Sequence, residues 1–378
     1  MELAPFLLEQ WTDAHRSSVR YNLAGSTGPK WTLAELRALM TDAERDELER
    51  TALGYCPGSG RESLRAAIAS MYGADPAEVQ TFTGAQEALL ALFFLASEPG
   101  ANVVVPWPAF APFVQLPEAM GLETRRYQLR QENRFEVDVE EVARLTDAHT
   151  KLILVNSPNN PSGSVVPEET VRALGELAER RGIELVVDEV YHPIYHGEGR
   201  RSAGTYTQAT VLGDFSKAFS LPGVRVGWLL VRDRARREAL LNARGHFTVS
   251  GSVLGELLAE VATRNREKIW NRARAASAPN LAALGEWCAA HADEMEWLRP
   301  RGAMTAFPRL TGVRDARPFC TAAAARGVLV APGDCFGSPE HFRIGFGLEM
   351  PGYRDALETL SEVLAPAVNV ARRPSRAR

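Results

Sequence analysis

A lysine in the stretch GDFSKAFSLPGVRVGW, residues 213–228, is the first residue whose type and setting suggest chemistry. The chain has 43 basic residues, and only those at positions 30, 151, 217 and 268 are lysines. Apolar runs flank Lys217 on both sides, so we expect its side chain to point into the protein. A buried lysine can lose its proton and form an imine, whereas arginine stays protonated. Lys217 is therefore a candidate Schiff-base residue.

Polar and aromatic residues follow the neighbouring apolar runs, where parallel strands would end. Ligands of open parallel sheets bind at the carboxyl ends of the strands. We therefore expect one cluster around the lysine, made of Phe110, Asn160, Asp188 and Tyr191. These residue types fit pyridoxal 5'-phosphate. Lys217 would hold its aldehyde, and Asp188 would keep the pyridine nitrogen protonated. Tyr191 and Asn160 would bind the phenolic oxygen, and Phe110 would stack on the ring.

A phosphate group would also find donors in this sequence. Gly84 precedes a strongly helical run, so the amides of Ala85 and Gln86 should point at an anion with the helix dipole behind them. Arg225 follows the lysine by eight positions and can offer a guanidinium fork, with the Ser216 hydroxyl beside it. We expect these five residues to bind the phosphate.

Each of these residues also has an ordinary structural explanation. Asp188 could cap a helix, Tyr191 and Phe110 could be core aromatics, and NNPSG uses the residues that turns prefer. Arg343 in the strand-like FRIGF is harder to explain, because an inward arginine in an apolar strand needs an anionic partner. The order and spacing of all these residues together favour a functional site.

Apolar runs that alternate with helical segments predict an α/β fold with a mostly parallel sheet sandwiched by helices. The predicted strands are 101–106, 151–156, 183–188, 209–214 and 226–231, and a helix is predicted over 167–182. A long helical region follows at about 250–295, and three short strand units and a final amphipathic helix come after it. We expect a large cofactor-binding domain at 49–275 and a smaller α+β domain made of 1–48 and 276–378.

Composition excludes several classes of function. A formal net charge of −4 offers no basic surface for nucleic acid. The four cysteines form no CxxC pair, so neither a zinc site nor a disulfide scaffold is expected, and no metal ligands are proposed. We find no secretion signal and no apolar run long enough to span a bilayer. The expected location is the cytoplasm, without membrane partners.

The sequence resembles the class I/II aminotransferases, the aspartate aminotransferase-like superfamily of fold-type-I enzymes that use pyridoxal phosphate. Seven motifs carry the resemblance in family order over nearly the whole chain. They are GYCPGSGRESLRAAIA (54–69), GAQEAL (84–89), PAF (108–110), NNPSG (159–163), DEVY (188–191), SKAFSLPGVRVGW (216–228) and FRIGF (342–346).

The resemblance implies roles for individual residues. Lys217 would be both the Schiff-base lysine and the proton shuttle, and Asp188 and Tyr191 would be the other catalytic residues. Gly25, Asn160 and Arg343 would contact the substrate, with Arg343 clamping its α-carboxylate. Tyr55 matches a tyrosine that reaches the phosphate of the neighbouring subunit, so a homodimer with shared active sites is expected.

Two departures from the family pattern stand out. Family members usually carry Ser or Thr three residues before the lysine, and this chain has Asp214 there. A carboxylate cannot donate a hydrogen bond to phosphate unless it is protonated, so we predict that Asp214 turns away from the phosphate site. The N-terminal loop YNLAGSTGPKW lacks the usual Gly-x-Pro, and the chain is similar to a subgroup that contains capreomycidine synthase, which closes a ring on a hydroxylated arginine derivative.

The activity predicted from these features is transfer of an amino group between an L-α-amino acid and a 2-oxo acid. The alternative is a pyridoxal phosphate-dependent lyase or cyclase that performs β- or γ-elimination or ring closure. The same site residues would serve both reactions. A DNA-binding regulator is disfavoured because the motifs begin by residue 54, and a nicotinamide dehydrogenase because no G-x-G-x-x-G opens a helix after a strand. No motif identifies the amino donor or acceptor.

Overall fold

The computed structural model describes residues 2–372, with side chains as far as residue 365. Its strands are β1 (Tyr21–Asn22), β2 (Val79–Phe82), β3 (Asn102–Trp107), β4 (Glu123–Gln128), β5 (Thr150–Asn156), β6 (Glu184–Asp188), β7 (Thr210–Asp214), β8 (Gly227–Leu230), β9 (Met295–Glu296), β10 (Thr305–Ala306), β11 (Arg309–Leu310), β12 (Val328–Leu329), β13 (Ala331–Pro332) and β14 (Phe342–Gly345).

The α-helices are α1 (Leu7–His15), α2 (Leu33–Ala38), α3 (Asp42–Arg50), α4 (Glu62–Ser70), α5 (Ala85–Ala96), α6 (Pro112–Ala119), α7 (Val139–Leu145), α8 (Glu168–Arg181), α9 (Arg234–Phe247), α10 (Val253–Arg264), α11 (Arg266–Ala290), α12 (Arg317–Ala325) and α13 (Tyr353–Arg372).

A seven-stranded sheet in the order β2-β8-β7-β6-β5-β3-β4 forms the centre of the molecule. Strands β4, β3, β5, β6 and β7 pair in parallel, and β8 is antiparallel to both of its neighbours. The predicted mostly parallel sheet is therefore confirmed, with all five predicted strands in place to within one or two residues. Sequence analysis missed β2 and β4. The edge strand β4, ETRRYQ, is polar and mostly half-buried, so it lacks the apolar run of a buried strand.

Helix α8 has the predicted bounds to within one residue. Pro167 stands at its N-cap, and Gly182 ends it in the left-handed conformation with φ 66°. This geometry is typical of glycine C-caps, because glycine has no Cβ to clash there. The long helical region at about 250–295 consists of two helices, α10 and α11, rather than one continuous element.

The N-terminal segment packs against the C-terminal third of the chain. Strand β1 pairs in parallel with β12, and the Trp11 indole donates to the Val330 carbonyl at 2.9 Å. The three predicted strand units form β10, β13 and β14, which pair in the order β10-β14-β13. These contacts accord with a small unit built from both ends of the chain. The division at residues 48/49 and 275/276 stays a prediction, and residues 373–378 lie outside the described part.

No helix within residues 2–372 is long and apolar enough to cross a membrane.

Candidate active site

A cavity of about 310 Å³ opens at the carboxyl ends of the parallel strands. Eleven of the thirteen predicted site residues line it: Gly25, Ala85, Gln86, Phe110, Asn160, Asp188, Tyr191, Ser216, Lys217, Arg225 and Arg343. Gly84 stands directly before the helix that lines it, and Tyr55 lies outside. A larger cleft of about 580 Å³ lies near the opposite ends of β6 and β7, but two of its three arginines pair with acids, as Arg236 does with Glu184 at 2.7 Å. We place the chemistry in the smaller cavity because Lys217 lies there.

The amine of Lys217 reaches into the cavity from the turn after β7. Its Nζ donates a hydrogen bond to Ser26 Oγ at 3.0 Å, and Ser26 is 8% exposed. The partner comes from the N-terminal segment, 191 positions away along the chain. Sequence analysis missed Ser26, since nothing in the local sequence signals a contact made only by the fold.

Asp188 ends β6 with its side chain buried, and its Oδ1 accepts from the Val190 amide at 3.0 Å. Burial raises the pKa of this carboxyl to about 7, and the nearby Asp214 carboxylate raises it further, while the Lys217 ammonium opposes the shift. A buried carboxyl with such a pKa is stabilised as an anion only when a cation approaches it. A protonated pyridine nitrogen is such a cation.

Tyr191 and Asn160 lie on the same side of the cavity. The Tyr191 hydroxyl is buried and has no hydrogen-bond partner within the described residues. The backbone N–H of Asn160 donates to Asn156 Oδ1 at 2.8 Å, and this hydrogen bond holds Asn160 in place. Asn156 also donates to the Asp188 carbonyl at 3.3 Å and pairs with Asp188 across β5 and β6. The position of Asn156 as the first polar residue after an apolar run could have predicted it.

The expected phosphate site lies at the start of α5. Gly84 precedes the helix with φ 80°, and a Cβ there would lie 2.5 Å from Nη2 of Arg225. Glycine is thus favoured by the backbone conformation, and its lack of a Cβ leaves room for the guanidinium. Arg225 is itself left-handed, with φ 53°, and Nη1 is held by the Pro222 carbonyl at 3.0 Å.

Asp214 does not turn away from this site, so that prediction is wrong. Its Oδ2 accepts from the Ala85 amide at 2.9 Å, and its Oδ1 accepts from the Ser216 amide. The reason is physical: Asp214 ends β7 beside the N-terminus of α5, where unpaired amides and the helix dipole favour a negative charge. The prediction considered only repulsion from a phosphate and not attraction to the helix.

Arg343 is buried in β14 and 2% exposed. Its Nη1 donates to Asn160 Oδ1 at 2.9 Å and its Nη2 to the Ala24 carbonyl at 2.5 Å. Nε has no partner among the described residues, and burial lowers the pKa of the guanidinium. Neutral acceptors alone leave the buried charge unbalanced, so the side chain is suited to bind an anion in the cavity.

Phe110 packs at the cavity mouth with its ring edge-on to Phe6 and Phe113, each at 5.7 Å between centroids. Tyr55 is 87% exposed and lies away from these residues. Residues that sequence analysis did not assign also line the cavity, among them Glu9, Thr12 and Asn22 from the N-terminal segment.

The cavity fits pyridoxal 5'-phosphate in its chemistry. The partnerless Tyr191 hydroxyl matches a phenolic oxygen, the protonatable Asp188 matches a ring nitrogen, and the Lys217 amine matches an aldehyde. The α5 amides with Arg225 match a phosphate, except that Asp214 already binds one of those amides.

One family profile and three known proteins that are similar to this chain agree with this site. The sequence profile of the family described as aminotransferase class I and II matches residues 23–360. The chain is 33% identical over 371 residues to capreomycidine synthase of Streptomyces vinaceus, covering 97% of this chain and 95% of that protein. It is 28% identical over 348 residues to the aspartate/prephenate aminotransferase of Thermus thermophilus, covering 86% and 87%. A crystal structure of a PLP-dependent aminotransferase from Streptococcus suis superimposes with a TM-score of 0.91 at 28% identity, covering 97% of this chain and 99% of that one.

The raised pKa of Asp188 predicts a pH-dependent stability. The folded protein binds this proton more tightly than the unfolded chain, whose carboxyl has a pKa near 3.8, so stability falls as pH rises from there to about 7. Asp188→Asn cannot ionise and escapes this loss. Urea unfolding of the cofactor-free proteins measures this effect. The free energy of unfolding of the variant, minus that of the wild type, should increase by roughly 2–3 kcal/mol from about pH 5 to about pH 8. Parallel pH profiles would contradict a buried Asp188 of raised pKa.

Proposed function

Since the chain belongs to the class I and II aminotransferase family, whose cofactor is pyridoxal 5'-phosphate, we propose that it is an aminotransferase acting on an L-α-amino acid and a 2-oxo acid. The observation that carries the proposal is one cavity that contains the Lys217 amine, the buried Asp188 carboxyl and the buried Arg343 guanidinium. These three groups suit, respectively, an aldehyde, a pyridine nitrogen and a substrate carboxylate.

The bound cofactor supplies an electron sink for the pair left when a substrate loses its α-proton. The Lys217 amine would accept that proton at Nζ and return it, and Ser26 Oγ would orient the amine through its hydrogen bond. Asp188 holds a negative charge opposite the pyridine nitrogen. Tyr191 Oη and Asn160 bind the phenolic oxygen, and Phe110 covers the ring. The Gly84–Gln86 turn, Ser216 and Arg225 bind the phosphate.

Arg343 positions the substrate. Its guanidinium fork binds the α-carboxylate, and Asn160 and the Ala24–Gly25 backbone keep the fork in place. The remaining residues of the cavity wall, which include the exposed Glu9, set the specificity of the protein for the side chain of its substrate.

Because the chain is similar to capreomycidine synthase, the experiment must also be able to detect a second type of reaction, ring closure. A cyclase would use the same lysine and the same carboxylate clamp. We favour transamination because the family profile spans residues 23–360 and because the Thermus thermophilus and Streptococcus suis relatives are aminotransferases.

The proposed activity is tested by adding single L-amino acids, without any oxo acid, to the purified cofactor-loaded protein. Transamination should convert the aldehyde form of the cofactor into its amine form, seen by absorption, and release one 2-oxo acid per site. Lys217→Ala should abolish the conversion, whereas Lys151→Ala should not, because Lys151 lies at the surface and pairs with Glu98. Retention of the aldehyde form while ammonia, water or a cyclised product appears would identify a lyase or cyclase instead.

Arg343→Lys should lower kcat/KM for amino acids on the order of a hundredfold, mostly through KM, because a single ammonium cannot replace the guanidinium fork. The absorption spectrum of the bound cofactor should not change. The preference for an amino acid over its decarboxylated amine should fall by a similar factor. The surface variant Arg309→Lys is the control. A variant that keeps this preference would refute the carboxylate-binding role.

We also propose a homodimer in which Tyr55 completes the partner's phosphate site. Leu53, Tyr55 and Val249 are 79%, 87% and 56% exposed, and Leu241 lies beside the same segment, with Cδ1 3.2 Å from where a Cβ on Gly58 would lie. Such an exposed apolar patch is typical of a surface that another chain covers.

Subunit complementation tests this arrangement. Lys217→Ala and Tyr55→Ala homodimers should each be impaired, but mixed dimers should regain one intact site, built from Lys217 of one subunit and Tyr55 of the other. Sedimentation gives the oligomeric state, and recovered activity reports the shared site. If mixing restores nothing while dimers do exchange, Tyr55 acts within its own subunit or not at all.

A further inference from the structure

Asp214 is a buried carboxylate placed where the phosphate of the cofactor is expected. It is 4% exposed, and both of its oxygens accept backbone hydrogen bonds, from Ala85 at the start of α5 and from Ser216. The Ser216 bond spans two residues, a local turn that fixes the carboxylate at the end of β7. The Ala85 bond spans 129 positions and is the one that occupies the phosphate site.

The charges of this site are already partly balanced by Asp214. The Arg225 guanidinium and the Asp214 carboxylate both lie against Gly84, with Nη2 at 2.5 Å and Oδ2 at 3.5 Å from the position of a Cβ on that residue. The helix dipole and the guanidinium therefore act on the carboxylate at the same point where they would act on a phosphate.

We propose that Asp214 is an internal anion that competes with the cofactor's phosphate, so that this protein holds its cofactor more weakly than it would with a hydroxyl residue at that position. When the phosphate binds, Oδ2 releases the Ala85 amide while Oδ1 keeps the Ser216 amide. When no phosphate is bound, Asp214 caps α5 and keeps the site formed. The inference rests on the proposed function in one respect, since it takes this site as the cofactor's phosphate site.

The carboxylate of Asp214 also carries an electrostatic cost, because it lies near the carboxyl of Asp188. Asp214 raises the pKa of Asp188, which opposes the ion pair that Asp188 should form with the pyridine nitrogen. A neutral residue at 214 would avoid this cost. The benefit of the aspartate is a preformed start of α5, because a side-chain carboxylate is among the better partners for free helix amides.

The test measures three ligands on the full-length cofactor-free protein: inorganic phosphate, pyridoxal without phosphate, and pyridoxal phosphate. Asp214→Ser should tighten binding of inorganic phosphate and of pyridoxal phosphate on the order of tenfold each. Binding of pyridoxal should stay within about twofold, because pyridoxal does not use the phosphate site. The loss of the cofactor from diluted holoenzyme should slow by a similar factor, and the cofactor-free variant should melt at a lower temperature than wild type.

Two further variants support the interpretation. Asp214→Asn removes the charge and keeps the size, so it should shift phosphate affinity in the same direction, and it decides the question if Asp214→Ser does not fold. Asp233→Asn is the matched control, since Asp233 is an exposed aspartate that caps α9 through the Arg236 amide at 2.6 Å. That variant should lose thermal stability without any change in phosphate affinity.

Several results would overturn the proposal. Unchanged or weaker phosphate binding in both Asp214 variants would show that the carboxylate does not compete. Equal tightening of pyridoxal and pyridoxal phosphate would show that the effect runs through Asp188 rather than through the phosphate site. Tighter phosphate binding together with no absorbance of a lysine-bound cofactor would instead uphold the anion site and refute the proposed function.

Discussion

The site depends on one constraint, which is that parallel strands end at the same edge of the sheet. Strands β5 and β6 pair so that Asn156 stands opposite Asp188, and β7 ends beside them with Asp214. Each strand has a buried, largely apolar middle and ends on a buried polar residue, which is where the chain can present a polar group to the cavity. The register of the strands therefore brings the carboxylates, the asparagine side chain and the turn that carries Lys217 to one edge of the sheet.

The second constraint on the site is that several of its charged side chains are buried. Asp188, Asp214 and Arg343 are each less than 5% exposed, and each is only partly balanced by its protein neighbours. Desolvation raises the pKa of Asp188 and lowers that of Arg343, so both charged forms are destabilised until a ligand of opposite charge binds. A cavity with this property is suited to a charged ligand in one defined orientation, because each buried charge favours a group of opposite charge beside it.

The N-terminal segment connects the two parts of the site. Ala24 accepts from Arg343 in β14, and Ser26 accepts from Lys217 after β7. Gly345 brings β14 close to this segment, since a Cβ there would lie 2.1 Å from the Gly25 carbonyl. A displacement of residues 22–26 would therefore disturb the Arg343 guanidinium and the Lys217 amine together. This coupling gives the short N-terminal strand β1 a role in positioning the site, beyond its pairing with β12.

Much of this protein was determined by its sequence alone. Buried strands must be apolar, so their positions, the parallel sheet and the polar residues at the strand ends could be predicted from local composition. Gly84, Lys217, Asp188 and Arg343 could be assigned because their residue types are rare in such settings and each suits a particular chemical task. Contacts between distant segments could not be predicted, and only the tertiary structure decided them. Ser26 lies 191 positions from the lysine that it binds, and the direction of Asp214 depends on the folded structure, which places the N-terminus of α5 beside the end of β7. Local sequence fixes which groups are available, whereas electrostatic attraction in the folded state decides which of them meet.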